Sequence, residues 1–274
     1  MGLCFSKNNK KLALKFPHGL SYIEYDGKKS FIKKDNINNF LKNIYLYSKW
    51  NNWIVYNDEN NQHTRKGHCK GIIAWNKNKI SWLCHSVPKF PNIFSGNTIS
   101  DIEDSELIYG QSFQYIEFDY NAIMIKNIMK QLDIMNANVY INNSDYKYKH
   151  VEEINVSKLI INNNIIHIAK SPNLEIDIYG DYIVKEYNYK WFVETWIRGH
   201  HINNHKVIDI KNLKFDNIEY TESQDHSKWA VSNNEYYFIG DLNRMTSQYK
   251  RGGGGFICKD IQIVNALNSL IYKS

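Results

Sequence analysis

Short apolar runs alternate with polar, asparagine-rich breaks along the whole chain, and this pattern predicts a mixture of strands and helices. Seven runs have the apolar and aromatic composition that is typical of strands. These predicted strands are residues 53–56, 71–75, 80–84, 113–118, 165–169, 191–196 and 236–239. The polar break between the second and third strands predicts a β-hairpin.

Three other segments have the periodicity of helices. Apolar residues recur at helical spacing within residues 37–45, 122–132 and 261–271, and such stripes are more typical of a core face than of a cofactor site. Because strands and helices occur in both halves, the sequence predicts an α/β or α+β architecture. The chain has only 4 Pro and no linker rich in Ser, Gly or Pro, so we expect the halves to pack tightly.

Composition narrows the class of protein without naming a function. Hydrophobic residues make up 43% and charged residues 23%, which excludes a disordered, collagen-like or coiled-coil chain. The formal net charge of +6 permits an anionic partner but does not require one. We expect that the chain is not an integral membrane protein, because no apolar run approaches the roughly 18 residues that a spanning helix needs.

The four cysteines are Cys4, Cys69, Cys84 and Cys258, and they form no zinc-type pair. We therefore expect no structural metal. The N-terminus shows no apolar leader segment, which favours an intracellular protein. Gly2 after the initiating methionine, followed by Ser6, fits the pattern of N-myristoylation, with Cys4 as a second acylation site.

Two His-x-Lys tripeptides are candidates for phosphate chemistry: His68-Cys69-Lys70 and His226-Ser227-Lys228. With ten histidines and 34 basic residues, about one His-x-basic tripeptide is expected by chance, and His63-Thr64-Arg65 is a third example. The tripeptides alone therefore do not define a site, and the sequence blocks around them are needed to interpret them.

Several short blocks accompany the two tripeptides along the chain in a fixed order. They are Tyr56-Asn57-Asp58, His85-Ser86-Val87-Pro88, Tyr109-Gly110-Gln111-Ser112-Phe113, Asp177-Ile178-Tyr179, Gly240-Asp241-Leu242-Asn243-Arg244 and Arg251-Gly252-Gly253-Gly254. Together with the tripeptides, they resemble the deoxyribonuclease II family of acid endonucleases, whose fold belongs to the phospholipase D superfamily. The resemblance implies two pseudo-symmetric halves, about residues 1–140 and 141–274, each a mixed β-sheet flanked by helices and packed as one unit.

The resemblance also implies a mechanism. In that superfamily two His-x-Lys motifs meet at one cleft; one imidazole attacks the phosphorus and forms a phosphohistidine. The other protonates the leaving 5′ oxygen and then activates water, which releases a 3′-phosphate end. His68 and His226 would take these two roles, in an order that the sequence leaves open, and a mildly acidic optimum follows. Lys70 and Lys228 would neutralise the non-bridging oxygens as the phosphorane forms.

The resemblance further implies that no metal or other cofactor takes part, that the substrate is double- or single-stranded DNA, and that the protein is a monomer or a homodimer. His85, Ser86, Asn243 and Arg244 are candidates for orienting the motifs or holding phosphate, although satisfying loop backbone is an equally good interpretation. The glycines at 252–255 predict either a close approach of nucleic acid to the backbone or a simple turn.

One departure from the family concerns disulfides. Cys4 and Cys258 align with family cysteines, but the partner positions hold Tyr115 and Ala230, so those bridges are not expected. Two alternatives to the nuclease stay open. One is a catalytically inactive relative that binds nucleic acid, and the other is a phospholipase D-like phosphodiesterase acting on lipid.

Overall fold

A computed structural model describes residues 9–46, 50–60, 66–152, 154–197 and 199–272. The strands of its first sheet are β1 (Asn9–Lys15), β2 (Tyr22–Tyr25), β3 (Phe31–Lys34), β4 (Asn52–Asn57), β5 (Lys70–Trp75), β6 (Lys79–His85), β7 (Gln111–Asp119) and β8 (Val139–Asn142). They lie in the order β3-β2-β1-β7-β6-β5-β4-β8, and every neighbouring pair is antiparallel.

The second half of the chain forms another sheet and a separate hairpin. Its strands are β9 (Val156–Asn162), β10 (Ile165–Lys170), β11 (Trp191–Glu194), β12 (Val207–Asp209), β13 (Asn212–Phe215), β14 (Ile218–Thr221), β15 (Trp229–Ser232), β16 (Tyr236–Gly240) and β17 (Gly253–Lys259). The sheet order is β12-β11-β15-β16-β17-β10-β9, with only the β11–β12 pair parallel, while β13 and β14 form the hairpin.

The α-helices within the described residues are α1 (Ile37–Leu46), α2 (Ala122–Met135), α3 (Val184–Tyr187), which continues a π-helical turn at Ile178–Ile183, and α4 (Ile261–Asn268). The Asn121 side chain caps α2 and the Asp260 side chain caps α4, each accepting two backbone N–H groups of the first turn. All three predicted helices are present. The last is shorter than predicted, because Ile271 forms a β-bridge with Leu213 instead. The mixed α/β class is confirmed.

The two sheets repeat one arrangement. The strands β4-β5-β6-β7-β1 have the same antiparallel order as β11-β15-β16-β17-β10, and α2 follows β7 as α4 follows β17. Each His-x-Lys motif lies at the start of the second strand in its set, β5 or β15. This repeat is the pattern that two pseudo-symmetric halves would give. The division near residue 140 stays a prediction.

A shared core joins the sheets into one unit. The Trp82 indole of β6 stacks on the His167 ring of β10, with 4.1 Å between ring centroids, and its centroid lies 5.0 Å from that of Phe256 of β17. One cluster of buried residues runs through both sheets. The burial of these large aromatic rings between the two sheets stabilises their association.

All seven predicted strands are present, although the one predicted at 191–196 ends at Glu194. The glycine run corrects a prediction. Residues Gly253–Lys259 are not a turn but a buried strand between β10 and β16. A Cβ atom on Gly254 would lie 2.1 Å from the carbonyl oxygen of Ile168, and on Gly255 it would lie 2.3 Å from that of Ile239. The glycines therefore permit a close approach of protein backbone.

The cysteines in the described part of the chain, Cys69, Cys84 and Cys258, are buried free thiols. The acylation candidates Gly2 and Cys4 lie outside the described residues. Among the helices that the structure describes, none has the length and hydropathy needed to cross a membrane.

Candidate active site

The first His-x-Lys motif is fixed by hydrogen bonds to the second sheet. The backbone N–H of His68 donates to the carbonyl oxygen of Gly252 at 2.7 Å. The N–H of Lys70, the first residue of β5, donates to Oδ1 of Asp241 at 3.3 Å. Gly252 and Asp241 lie at the two ends of the loop that joins β16 to β17. This loop thus positions the first motif.

The second motif is fixed in the corresponding way by the first sheet. The N–H of His226 donates to the carbonyl oxygen of Gly110 at 2.9 Å, and the N–H of Lys228 donates to the Ser112 hydroxyl at 3.3 Å. The Lys228 ammonium folds back and donates to the carbonyl oxygen of His226 at 2.5 Å. Each motif is therefore held by the opposite half, and both lie where the two sheets meet.

The charges of the two motifs act on one another. Burial lowers the pKa of the Lys228 ammonium to about 8, and the positive charge of Lys70 contributes in the same direction. Burial is also the main reason that the pKa of His68 lies well below its usual value, and the charges of Lys70 and Lys228 lower it further. This mutual influence agrees with the hydrogen bonds that bring both motifs to the place where the two sheets meet.

The His68 ring is half-buried, and its orientation fixes the tautomer. Its Nδ1 lies 2.6 Å from the carbonyl oxygen of Asp241. A carbonyl oxygen can only accept a hydrogen bond, so Nδ1 carries the hydrogen and Nε2 of the neutral ring carries a lone pair. Desolvation and the neighbouring ammonium groups both favour this neutral form. The arrangement can therefore present Nε2 of His68 as a nucleophile.

The His226 ring lies between two aromatic rings and is 6% exposed. Its centroid is 3.8 Å from that of Tyr109, nearly parallel to it, and 3.9 Å from that of Trp196. The carboxylate oxygen Oε2 of Glu106 is 4.0 Å from Nδ1 of His226. Tyr109 and Trp196 are themselves half-buried, so they form an aromatic rim over the second imidazole. Sequence reasoning missed Glu106 and this rim.

A buried ion cluster surrounds Lys70. Its ammonium lies 2.5 Å from Oδ1 of Asp58 and 3.3 Å from Oε1 of Glu59, while the Arg251 guanidinium lies 2.9 Å from Oδ2 of Asp58. Burial raises the pKa of Asp58, but Lys70, His68 and Arg251 more than offset this and hold it well below its usual range. Burial likewise opposes the charge of Lys70, yet the two carboxylates raise its pKa above the usual value. The Lys70 ammonium is thus charged and fixed.

Comparison with known proteins identifies the family. The deoxyribonuclease II family model matches residues 13–274. The chain belongs to the deoxyribonuclease II family. It is 31% identical to human deoxyribonuclease-2-beta over 92% of this chain and 82% of the relative, and 29% identical to the mouse protein of that name over 81% and 70%. It is 27% identical to cell-death-related nuclease 7 of Caenorhabditis elegans over 85% and 71%. Membership confirms the resemblance and the enzyme class, a nuclease hydrolase.

Three groups near the first motif have the chemistry of metal ligands. Oxygen and nitrogen atoms of Asp58, Glu59 and His68 lie within 4.8 Å of one another. Both Asp58 oxygens, however, already face cations of the protein itself, the Lys70 ammonium and the Arg251 guanidinium. A divalent cation bound there would have to compete with these two groups.

His85 and Ser86 follow one another at the end of β6, and Ser86 is linked to the second motif by hydrogen bonds. The His85 ring is buried, which lowers its pKa to about 3, and its Nδ1 accepts the backbone N–H of Val87 at 3.2 Å. The Ser86 hydroxyl donates to Oε1 of Gln111 at 2.6 Å and accepts the N–H of Ser112 at 3.0 Å. Ser112 in turn accepts from Lys228, so Ser86 supports the second motif through one intermediate residue. These contacts favour an orienting role for Ser86, whereas the hydrogen bond of His85 satisfies the backbone of its own loop.

The Arg244 guanidinium is 1% exposed, and acceptors of the protein surround it. It donates to Oδ2 of Asp177 at 2.8 Å, to Oδ1 of Asp209 at 2.7 Å and to the carbonyl oxygen of Ile202 at 2.6 Å. Asn243 is 7% exposed, and its Oδ1 accepts no hydrogen bond within the described residues. These contacts favour a structural role for Arg244 over phosphate binding. A phosphate contact of Asn243 stays a prediction.

The Asp241 carboxyl predicts a pH dependence of stability. Burial raises its pKa from 3.8 to about 8, although the charge of Lys70 opposes this. Between these two values the folded protein holds a proton that the unfolded chain has released, so stability falls as the pH rises. We expect Asp241→Asn to reduce this slope by up to about 1.4 kcal/mol per pH unit. Denaturant unfolding from about pH 5 to about pH 7 measures it.

The control for this measurement is Asp145→Asn, because Asp145 is exposed. It should have the slope of the wild-type protein. Equal slopes for the wild-type protein and Asp241→Asn would contradict the assignment of a raised pKa to Asp241.

Proposed function

We propose that the protein hydrolyses phosphodiester bonds in DNA, using His68, Lys70, His226 and Lys228. The observation that carries the proposal is the reciprocal hydrogen bonding that holds each motif to the opposite half of the chain, so that both motifs lie where the two sheets meet. The names of the relatives agree with this substrate. A site with two imidazoles and two ammonium groups matches what phosphodiester cleavage requires: a nucleophile, a proton donor and charge stabilisation.

In the first step Nε2 of His68 attacks the phosphorus. A P–N bond forms, the bond between phosphorus and the 5′ oxygen breaks, and the leaving oxygen takes a proton from His226. The tautomer of His68 supports its assignment as the nucleophile, because Nδ1 donates to a backbone carbonyl and leaves Nε2 with the lone pair. The lowered pKa of His68 keeps this lone pair available in mildly acidic solution.

In the second step His226, now neutral, accepts a proton from water as the water oxygen attacks phosphorus. The P–N bond breaks and a 3′-phosphate end is released. The Glu106 carboxylate, 4.0 Å from Nδ1 of His226, would stabilise the ring in its protonated state between turnovers. Since one imidazole must be neutral and the other protonated, the activity should have a mildly acidic optimum.

Lys70 and Lys228 would stabilise the transition state. The non-bridging oxygens gain negative charge as the five-coordinate phosphorus forms, and a fixed ammonium stabilises this charge without reorganising. The ion cluster with Asp58 holds Lys70 in place, whereas Lys228 is held by the carbonyl oxygen of His226. With a pKa of about 8, Lys228 stays protonated at acidic pH. These two side chains would do what metal ions do in other nucleases.

The test is a plasmid-nicking assay from about pH 4 to about pH 8 with excess chelator, since metal-independent chemistry needs only the imidazoles and ammonium groups. We expect full activity in chelator, a mildly acidic optimum and 3′-phosphate ends. Loss of activity in chelator that a divalent cation restores would contradict metal independence. Phosphatidylcholine hydrolysis, measured beside it, would instead indicate a lipid phosphodiesterase, and DNA binding without cleavage a catalytically inactive relative.

A further inference from the structure

A cavity of about 540 Å³ is lined by neighbours of the first motif. Its wall includes Lys66 and Gly252, and these residues flank His68 in sequence or in space: Lys66 precedes it by two positions, and Gly252 accepts its backbone N–H. Arg251, also in the wall, is bonded to Asp58 of the Lys70 cluster. The cavity is therefore continuous with the framework of the proposed catalytic site, and its volume suits a small organic group.

Among the charged side chains of the wall, cationic ones outnumber acidic ones. Lys66, Lys250 and Arg251 carry positive charge, and Asp133 is the acidic residue in the lining. The carboxylate of Asp133 is 7% exposed and already accepts hydrogen bonds from the hydroxyl of Tyr146 and the backbone N–H of Lys149. The cavity thus favours an anion over a cation or a neutral ligand.

The wall also offers an aromatic surface. The Tyr148 ring is 39% exposed, and the Lys66 ammonium lies 4.1 Å from its centroid. An exposed aromatic ring beside cationic side chains is the combination on which nucleic-acid bases stack while their phosphates are neutralised. Lys250 pairs with Glu175 at 3.0 Å, but both side chains are well exposed, so this pair is weak and can exchange for a phosphate.

We propose that this cavity binds a nucleotide of the substrate strand next to the scissile phosphate, with its base on Tyr148 and its phosphate at Lys66 and Lys250. The inference rests on the proposed function, because it is the strand cleaved at His68 that would reach the cavity. It makes the enzyme selective for polynucleotides over small phosphodiesters. Affinity for the strand, rather than the chemical step, depends on these three side chains.

The first test compares two substrates of the full-length protein, a single-stranded oligodeoxynucleotide and bis(4-nitrophenyl) phosphate, which has no nucleotide to place in the cavity. Tyr148→Ala should lower kcat/KM for the oligonucleotide by about tenfold, a typical loss when a stacked base loses its aromatic partner. Hydrolysis of the small diester should stay within about twofold of wild type. The control is Tyr120→Ala, because Tyr120 is also 39% exposed but follows the far end of β7.

The second test uses salt. The double variant Lys66→Gln/Lys250→Gln should reduce the slope of log KM against log salt concentration by about 0.7 for each lost phosphate contact on a single strand. Lys79→Gln is the matched control, since Lys79 also has an exposed ion pair, with Asp119. Lys79 is the first residue of β6, and it is not among the residues that line the cavity. This control variant should leave the slope unchanged.

The outcomes separate the two proposals. Equal oligonucleotide kinetics for Tyr148→Ala and Tyr120→Ala would overturn the nucleotide subsite, and so would an equal loss on both substrates, while cleavage by the wild-type protein would still support the proposed function. If the wild-type protein cleaves neither substrate, the proposed function fails. The subsite is then decided by fluorescence anisotropy of a labelled oligonucleotide on His68→Ala protein, in which Tyr148→Ala must weaken binding.

Discussion

Replacing His68 or His226 with alanine is expected to lower kcat on DNA by at least about 10⁴-fold, because the proposed mechanism gives each ring a part in bond making or proton transfer. In that mechanism His68→Ala removes the atom that attacks phosphorus. His226→Ala removes the proposed proton donor for the leaving 5′ oxygen, which is a poor leaving group without one. Plasmid cleavage at the pH optimum measures both effects. Either variant retaining more than about a tenth of the wild-type rate would contradict a two-histidine site.

The loss must be separated from unfolding. The His68 ring is half-buried and bonded through one nitrogen, so its removal should cost only about 1 kcal/mol of stability. His226 lies between Tyr109 and Trp196, and its removal leaves a cavity there. His226→Phe keeps a stacked ring without either nitrogen and should be equally inactive. His205→Ala is the control, because His205 is exposed and distant in sequence from both motifs.

The same variants distinguish the two roles. With a 4-nitrophenyl ester of thymidine 3′-phosphate, the leaving group needs no proton, so His226→Ala should still form the phosphohistidine but hydrolyse it slowly. A burst of one 4-nitrophenolate per protein is expected, with the adduct located on His68 by mass spectrometry. His68→Ala should give neither burst nor adduct. An adduct on His226 in the wild-type protein would reverse the assignment.

Much of the fold follows from periodicity. The seven predicted strands are apolar enough to be central or well-paired strands, and the three predicted helices bury one apolar face each. Several strands of three or four residues were not predicted because they carry too little pattern to separate them from loops; these are β2, β3, β8, β12, β13, β14 and β15. The seven-residue strands β1 and β9 were not predicted either. The glycine-rich β17 was missed for a different reason. Glycine is unfavourable in strands, so the local sequence does not indicate one. The glycines of β17 are explained by neighbouring backbones that leave no room for a side chain.

Some residues of the candidate site could be predicted from the sequence and others could not. The two His-x-Lys motifs could be found because their spacing and flanking blocks are local in sequence. The sequence assigned no role to three charged residues, Asp58, Glu106 and Arg251. A charged residue on the surface cannot be distinguished by sequence from one that contacts Lys70, His226 or Asp58 in the folded protein. For Arg244 the sequence suggested a role that its contacts do not favour. Its family block suggested orienting the motifs or holding phosphate, whereas the folded protein pairs its guanidinium with Asp177 and Asp209, which are far away in sequence.

The two lysines should respond differently to the same substitution. Lys70→Met and Lys228→Met are each expected to lower kcat by about two to three decades, since in the proposed mechanism each removes one charge that stabilises the transition state. Only Lys70→Met should also destabilise the fold, by about 3–5 kcal/mol, because it leaves the buried carboxylate of Asp58 without its nearest cation. Lys228 has no carboxylate within ion-pair distance among the described residues, so its loss should cost little stability.

A compensating change separates the two roles of Lys70. Asp58→Asn/Lys70→Met removes both charges, so the free energy of unfolding should return to within about 1 kcal/mol of wild type while kcat stays low. Chemical denaturation and plasmid nicking at one mildly acidic pH measure the two quantities. Equal stability of Lys70→Met and Lys228→Met would contradict a stabilising Asp58 pair. Recovery of activity in the double variant would show that the Lys70 charge only offsets Asp58, and that the phosphorane is stabilised elsewhere.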